Sequence, residues 1–296
     1  MVEAFSPNFV VALSNPEMIL KSDYVKQFML KVLRENMSFY LKGSKVPYAG
    51  MNLTGGRIFI ESQKPEEVIT ALGKCFGIHS FFLAQRIEFK GFGELCKKAS
   101  LLCEGKLKGT FAVRGKSFAK EFRSQDLGRE LGSAILDLQP KLKVDLSTPE
   151  TEVYCLAFDN YAFIYFSSFA GPAGMPVGTQ GRVVVISKGK KDKEALRLGW
   201  LLLKSGCKVS VLDFSKKGSA KDNCTLEDFD KLGEWSASFG VNLSSLKEIK
   251  QLYLDHKVKA IFSTAIAEKD AAADSKKVGA KVFVPLMLLE AKTPFD

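Results

Sequence analysis

Residues 182–214 read RVVVISKGKKDKEALRLGWLLLKSGCKVSVLDF, and this stretch decides the fold class. Arg182 to Ile186 is a continuous apolar run, the pattern of a strand buried on both faces. A polar loop, Ser187 to Lys193, follows it. EALRLGWLLLKSG then reads as a helix ended by Gly206. KVSVLDF is the next strand. A strand, a crossover helix and a strand make a parallel pair. Downstream, helices near 226–239 and 245–256 and strands near 258–262 and 281–284 extend the pattern. Residues 173–296 are therefore expected to form an α/β layered domain with a parallel sheet. Upstream, GPAGMPVGTQG (171–181) is too rich in glycine and proline for a regular element, and it reads as the connection into that domain.

The residues before the connection alternate strand and helix. NFVVAL (8–13) is a strand. Residues 23–40 form a helix, with Tyr24, Phe28, Val32 and Leu33 along one stripe and Ser22 as its N-cap. GRIFIE (56–61) is a strand after a Gly-Gly turn, Pro65 opens a short helix, and residues 78–89 are strand-like. The order β-α-β-β-α-β predicts a ferredoxin-like unit over 1–80. In 81–172, a helix over 91–103 precedes the strand GTFAVRGKS (109–117). Ser124 caps a helix carrying Leu127, Leu131, Ala134, Ile135 and Leu138. EVYCLAF and YAFIYF meet at Asp159-Asn160, a two-residue hairpin signal. The expected fold is thus a multidomain α/β and α+β chain divided at 1–80, 81–172 and 173–296.

The 296 residues carry 43 Lys and Arg against 33 Asp and Glu, a net charge of +10. That excess points to a polyanionic partner, nucleic acid before membrane. No apolar run is long enough for a membrane span. The start has no basic region ahead of its short apolar run and carries Glu3, so it reads as a first strand rather than a signal peptide. The six cysteines form no CxxC pair and have only His79 and His256 beside them, which argues against a zinc site. They read as reduced thiols of a cytoplasmic protein.

Charge concentrates in two places. Lys106, Lys108, Arg114, Lys116, Lys120 and Arg123 stand against Glu121 alone, with Phe111, Phe118 and Phe122 between them. The cluster suits a surface that tracks phosphates, with base stacking as an added option. Its alternative is a solvated strand and loop with phenylalanines in the core. The loop Ser187 to Lys193 holds Lys188, Lys190, Lys191 and Lys193 between a strand and a helix N-terminus, a location that favours anions. It matches neither GxxxxGK[ST] nor GxGxxG. His79, in an apolar strand, reads as structural. Cys207 is expected to be buried. Asp213, at the end of the second strand, could touch a ribose or a metal.

The run TFAVRGKSFAKEFRSQDLGRELGSAIL (110–136), then KVDLSTPE, AFIYF and GPAGMPVGTQGRVVVIS, resembles the tRNA 4-thiouridine synthetase family where a THUMP domain passes into a PP-loop domain. Glu17 to Ser22, Gly56 to Phe59 and Phe76 to Ile78 agree with earlier segments of that family. The resemblance implies a ferredoxin-like domain and a THUMP domain that grip the acceptor end of tRNA. It implies a third domain of the adenine-nucleotide alpha-hydrolase type, which uses ATP with magnesium to activate a uridine carbonyl for sulfur. Carried onto this chain, the RNA contacts are Lys21, Arg57, Arg114, Lys116 and Arg123. Lys120 joins them from the basic cluster.

The nucleotide loop departs from the family pattern. Ser187 and Gly189 match. Lys188 and Lys191 stand in place of a glycine and the aspartate, and Asp192 in place of the serine, so Ser187, Gly189, Lys190 and Asp192 read as a vestigial nucleotide site. A side chain at Lys188 obstructs close backbone approach to pyrophosphate. No cysteine follows Cys224, where the family's sulfur-transfer cysteine would come. The chain resembles a shortened relative with a degenerate PP-loop motif and no catalytic residue to name. Its expected role is to bind tRNA and present it to a modifying or sulfur-donor protein, as a homodimer if it follows the family. The alternatives are an active ATP-dependent thiolation enzyme with sulfur supplied by another protein, or an α/β module with no RNA role.

Overall fold

The computed structural model describes residues 5–54, 56–187, 193–213, 226–264, 268–284 and 293–294. The N-terminal elements are β1 (Phe9–Ser14), α1 (Pro16–Ile19), α2 (Asp23–Gly43), β2 (Gly50–Thr54), β3 (Arg57–Glu61), α3 (Pro65–Leu72) and β4 (Ile78–Glu88). Next come α4 (Phe92–Leu102), β5 (Thr110–Ser117), α5 (Ser124–Leu138), β6 (Lys143–Val144), β7 (Thr151–Ala157), β8 (Tyr161–Tyr165) and β9 (Ser168–Ala170). The last are β10 (Arg182–Ser187), α6 (Lys193–Lys204), β11 (Lys208–Asp213), α7 (Leu226–Gly233), β12 (Asn242–Ser244), α8 (Leu246–Leu254), β13 (Ala260–Ser263), α9 (Glu268–Val278) and β14 (Val282–Phe283). No helix among the described residues is long and apolar enough to cross a membrane.

The chain gathers into two compact units that do not follow sequence order. One takes residues 1–13, 46–70 and 80–170, and the other takes 14–45, 71–79 and 171–296. In the first unit a single sheet runs β2-β3-β1-β4-β8-β7-β5-β6, with β9 also paired to β4. Its first four strands have the ferredoxin-like order. The β7–β8 hairpin turns at Asp159-Asn160, where the Phe158 amide donates to the Tyr161 carbonyl at 2.8 Å. On one face, α4 and α5 bury Leu95, Ala99, Leu127, Leu131 and Ile135 against Phe111, Val153, Cys155 and Ile164. Gly115 makes this crossing tight, since a Cβ there would lie 3.1 Å from the Gly128 amide nitrogen and from Leu127.

In the second unit a parallel sheet runs β12-β11-β10-β13-β14. Both faces are covered. Val183, Val185, Val209 and Val211 pack with α6 and α7, while Val184, Ile186 and Leu212 pack with Ile249 of α8 and Val278 of α9. This is the α/β parallel domain that the run at 182–214 predicts. The helix expected to 239 stops at Gly233, and a 3₁₀ turn and the unforeseen edge strand β12 follow it.

Three local expectations are corrected. Tyr24 is 86% and Phe28 46% exposed; of the expected stripe only Val32 and Leu33 are buried, together with Met29, Leu30, Met37 and Leu41. Asn36, 2% exposed, sits among the buried residues and donates to the Val177 carbonyl at 3.1 Å. Ser124 is the first residue of α5 rather than its cap, and its hydroxyl accepts the Ser117 amide at 3.0 Å. His79 is exposed at the start of β4 rather than part of the core.

Candidate nucleic-acid interface

Strand alternation places successive side chains on opposite faces of a sheet. In the first unit, α4 and α5 take the face of Val153, Cys155 and Ile164. The other face carries Phe9 and Val11 of β1, Phe59 of β3, Phe82 and Ala84 of β4, Phe163 and Tyr165 of β8, and Leu156 of β7. Register extends that face outward. Arg86 stands opposite Phe163, Arg114 opposite Tyr154, and Lys116 opposite Leu156. Arg57 is two residues from Phe59 on β3 and shares its face. Arg57, Arg114 and Lys116, which the sequence singles out, and Arg86, which it does not, therefore lie on one aromatic sheet face.

The aromatic rings organise this face. Phe59 and Phe163 stack at 4.6 Å between centroids, with Phe9 set edge-on to Phe163 at 5.1 Å. Above them, Phe118, Phe158 and Tyr161 form a parallel series, 5.3 Å and 4.8 Å between centroids with interplanar angles of 17° and 19°. The Arg86 guanidinium lies 4.6 Å from the Tyr161 ring centre. At the other end, Arg57 and Lys116 lie 5.9 Å and 6.0 Å from the Phe118 ring centre. Cations over aromatic faces are attracted by the ring quadrupole, so these side chains are held near the rings.

Arg114 is anchored differently. Its Nε donates to Glu152 Oε1 at 2.8 Å and its terminal nitrogen to the Leu146 carbonyl at 3.0 Å. The Tyr154 hydroxyl also donates to Glu152. These two donors hold the Glu152 carboxyl below its ordinary range, the Tyr154 bond first. Burial and the Glu152 carboxylate push the Tyr154 phenol up to about 12. Tyr165, stacked on Tyr154 at 5.0 Å and 6°, is also raised to about 12, chiefly by burial. Arg114 thus spends part of its charge on Glu152. Lys116 makes no ion pair with a carboxylate among the described residues and is exposed.

The other residues of the basic cluster lie in the segment between β5 and α5. Lys120 is exposed, and its amide donates to Asp159 Oδ1 at 3.0 Å. Arg123 is exposed at the cap position of α5, where its amide donates to Asp126. Of the interleaved phenylalanines, Phe111 and Phe122 are core and Phe118 is 43% exposed. Lys21 is exposed in the second unit, just after α1. Arg86 was legible from the Phe82, Ala84, Arg86 alternation once β4 was taken as a strand. The ring series was not, because it joins Phe118 of the segment after β5 to Phe158 and Tyr161 of the β7–β8 hairpin.

The second unit offers the strand ends of its parallel sheet. Strand order reverses at β10, whose neighbours β11 and β13 lie on opposite sides, and open α/β sheets take ligands at such a point. Ser187 ends β10 and Ser263 ends β13, and both are fully buried. The Ser263 hydroxyl donates to Asp274 Oδ2 at 2.6 Å, and Asp274 is 7% exposed. The Ser263 hydroxyl is thus held by Asp274. Gly189, Lys190 and Asp192 lie outside the described residues, as does the side chain of Asp213. No group of His, Cys, Asp and Glu that could hold a metal occurs among the described residues. The thiols of Cys75, Cys96, Cys103, Cys155 and Cys207 are free and buried, and burial raises each.

Comparison with known proteins adds the following. Residues 11–81 match the ThiI ferredoxin-like domain and residues 90–167 the THUMP domain. A probable tRNA sulfurtransferase of Methanosarcina acetivorans is 30% identical over 233 residues, 76% of this chain and 55% of that protein. One from Methanosarcina mazei is 28% identical over 292 residues, 92% of this chain and 70% of that protein. The chain thus spans little more than half the length of the first of these relatives. The crystal structure of PH1313 from Pyrococcus horikoshii Ot3 shares the fold at a TM-score of 0.76 and 24% identity, over 97% of this chain and 96% of that one. A 4-thiouridine synthetase, solved as an RNA complex with bound ATP, shares it at 0.71 and 19% identity, over 94% of this chain and 81% of that one.

Proposed function

Since this chain belongs with the tRNA sulfurtransferases through its ferredoxin-like and THUMP portions, we propose that it binds tRNA and acts in tRNA modification as a tRNA-presenting, catalytically reduced member. The observation that carries this reading is the single sheet face on which Arg57, Arg86, Arg114 and Lys116 meet a series of aromatic rings. Exposed cations at the margin of such a face can track a phosphate backbone, with Phe118 as the exposed ring beside them. Lys120 and Arg123 extend the surface from the following segment, and Lys21 is a further contact in the second unit. The working domain scheme is 1–80 ferredoxin-like, 81–172 THUMP and 173–296 a degenerate PP-loop-like domain.

The absence of a catalytic role in this reading rests on the sequence of the loop after β10, where Lys188 and Lys191 replace residues that a pyrophosphate cradle needs small or acidic. Modification would then be completed by a modifying or sulfur-donor protein. The free buried thiols agree with a reducing cytoplasmic setting.

Calorimetry of the purified chain with tRNA at several salt concentrations, then with ATP and magnesium, tests the reading. The expected result is tRNA binding that weakens steeply with salt and no heat from ATP. Affinity that is absent or indifferent to salt overturns the RNA role. ATP binding, alone or with tRNA, overturns the catalytically reduced role in favour of ATP-dependent thiolation.

A further inference from the structure

We propose that a cavity beside the amino ends of β10 and β11 binds the terminal phosphate group of a small phosphomonoester, held by Arg182 and Lys208. The proposal goes beyond the RNA-binding reading and does not depend on it. The cavity measures about 710 Å³ and is lined by Arg182, Lys208, Ser244, Glu248, Leu252 and Lys257. That volume suits a small-molecule cleft. All these residues belong to the second unit. Arg182 opens β10 and Ser187 closes it, so the cavity begins roughly 16 Å along the strand from the loop after β10.

Strand register builds the cation pair. Arg182 and Lys208 are partners in the parallel pairing of β10 with β11, so they stand side by side on adjacent strands. The Lys208 amide donates to the Gly181 carbonyl at 2.7 Å and the Lys259 amide to the Arg182 carbonyl at 2.8 Å, which fixes the backbone of both. The Arg182 guanidinium donates to the hydroxyl of the fully buried Ser210 at 2.9 Å. The Lys208 ammonium lies 4.1 Å from the centre of the Phe239 ring. A Cβ at Gly178 would come within 2.7 Å of that ring, so glycine there lets the ring sit against Lys208. Both cations are half-buried, and neither makes an ion pair with a carboxylate among the described residues. Two like charges held together and partly removed from water repel each other. A phosphate dianion between them relieves that repulsion and accepts charge-assisted hydrogen bonds from both.

The rim selects a small ligand over a polyanion. Lys257 is exposed and shares its charge with Asp255 at 3.3 Å. Glu248 is exposed too, and hydrogen bonds from Ser245, the backbone amide first, hold its carboxyl below the ordinary range. An ionised carboxylate at the mouth repels the flanking phosphates of a nucleic-acid chain. The same carboxylate accepts a hydroxyl of a sugar-like body, and Leu252 offers that body an apolar wall.

Calorimetry with inorganic phosphate and ribose 5-phosphate tests the site, without magnesium or ATP so that the nucleotide test above stays separate. Wild type and the control Lys247→Met are expected to bind both probes, ribose 5-phosphate more tightly. Lys208→Met and Arg182→Met are each expected to lose about tenfold to a hundredfold of affinity, the range of one charged hydrogen bond. Lys208→Met carries the decision if Arg182→Met does not fold. Without a probe, Lys208→Met is expected to keep or raise the wild-type melting temperature, because the like-charge repulsion is gone; a merely structural lysine would lower it. No heat from either probe in wild type, wild-type affinity in Lys208→Met, or an equal loss in Lys247→Met overturns the site. Displacement of ribose 5-phosphate by tRNA, with tRNA affinity falling by the same factor in Lys208→Met, overturns the small ligand in favour of a backbone phosphate.

Discussion

The two sheets of this protein solve the burial problem in opposite ways. The five-stranded parallel sheet is covered on both faces, by α6 and α7 on one side and α8 and α9 on the other. Its central strand β10 is apolar from Val183 to Ile186, while β11 buries Ser210 beside Arg182. The long mixed sheet of the first unit packs α4 and α5 on one face. Its other face carries rings, arginines and a lysine, with Phe9, Phe59, Phe82 and Phe163 buried among themselves. The cations at the margin of that face are what an extended polyanion could meet. A sheet buried twice over leaves its strand ends for a small ligand, and at one of them Ser263 is hydrogen-bonded to Asp274.

The sharpest way to break this contrast is to remove the ring layer. Phe163→Ala deletes a 3% exposed ring in contact with Phe9 and Phe59 and is expected to cost about 3–5 kcal/mol, read by urea denaturation. A loss below about 1 kcal/mol would mean that the ring face is not a core in its own right. Next in size, the pair of reversals Arg86→Glu and Lys116→Glu is expected to weaken tRNA binding by roughly tenfold or more. It should also flatten the dependence of log affinity on log salt by about two. Reversing Lys247 and Lys250 on α8 of the second unit should do neither, and equal effects would erase the distinction between the sheets.

The Glu152 group sharpens the comparison by pH. Its carboxyl is depressed by Tyr154 and Arg114, so its contribution to stability is present above the ordinary carboxylate pKa of about 4.3. That contribution is lost as pH falls through the lower folded value. Glu152→Gln should therefore lower the melting temperature near neutrality and leave it unchanged at the acid end, with an effect below about 1 kcal/mol because the pair is a third exposed. The smallest signal concerns the thiols. With Cys96 raised to about 11 and Cys103 to about 12, a disulfide-exchange reagent at pH 8 should label them in the native protein far more slowly than in urea. Fast native labelling of either would reopen a reactive role for these cysteines.

Much of this was legible along the chain. RVVVIS and KVSVLDF carried the parallel sheet because strands buried on both faces are rich in valine, isoleucine and leucine and lack strict polar alternation. Asp159-Asn160 marked a hairpin because two-residue turns demand such residues. The stripe on α2 was misplaced because a helix of mixed composition offers more than one plausible face, and Tyr24 and Phe28 proved exposed. At the interface, Arg57, Arg114 and Lys116 could be chosen by charge and by resemblance. That Arg114 is committed to Glu152, 38 residues away in sequence, could not.

What the sequence by itself determined was the kind of each element, the parallel sheet and the basic character of 106–123. All three follow from periodicity and composition, which are local properties. Tertiary structure alone decided which side chains share a surface. Pairing register brings Arg86, Lys116 and Phe163 onto one face, and the β7–β8 turn brings Phe158 between Phe118 and Tyr161. A shift of one residue in any of those pairings would send the same residues to the opposite face, against α4 and α5. The ring series and its cations are therefore a property of strand register, which composition does not carry.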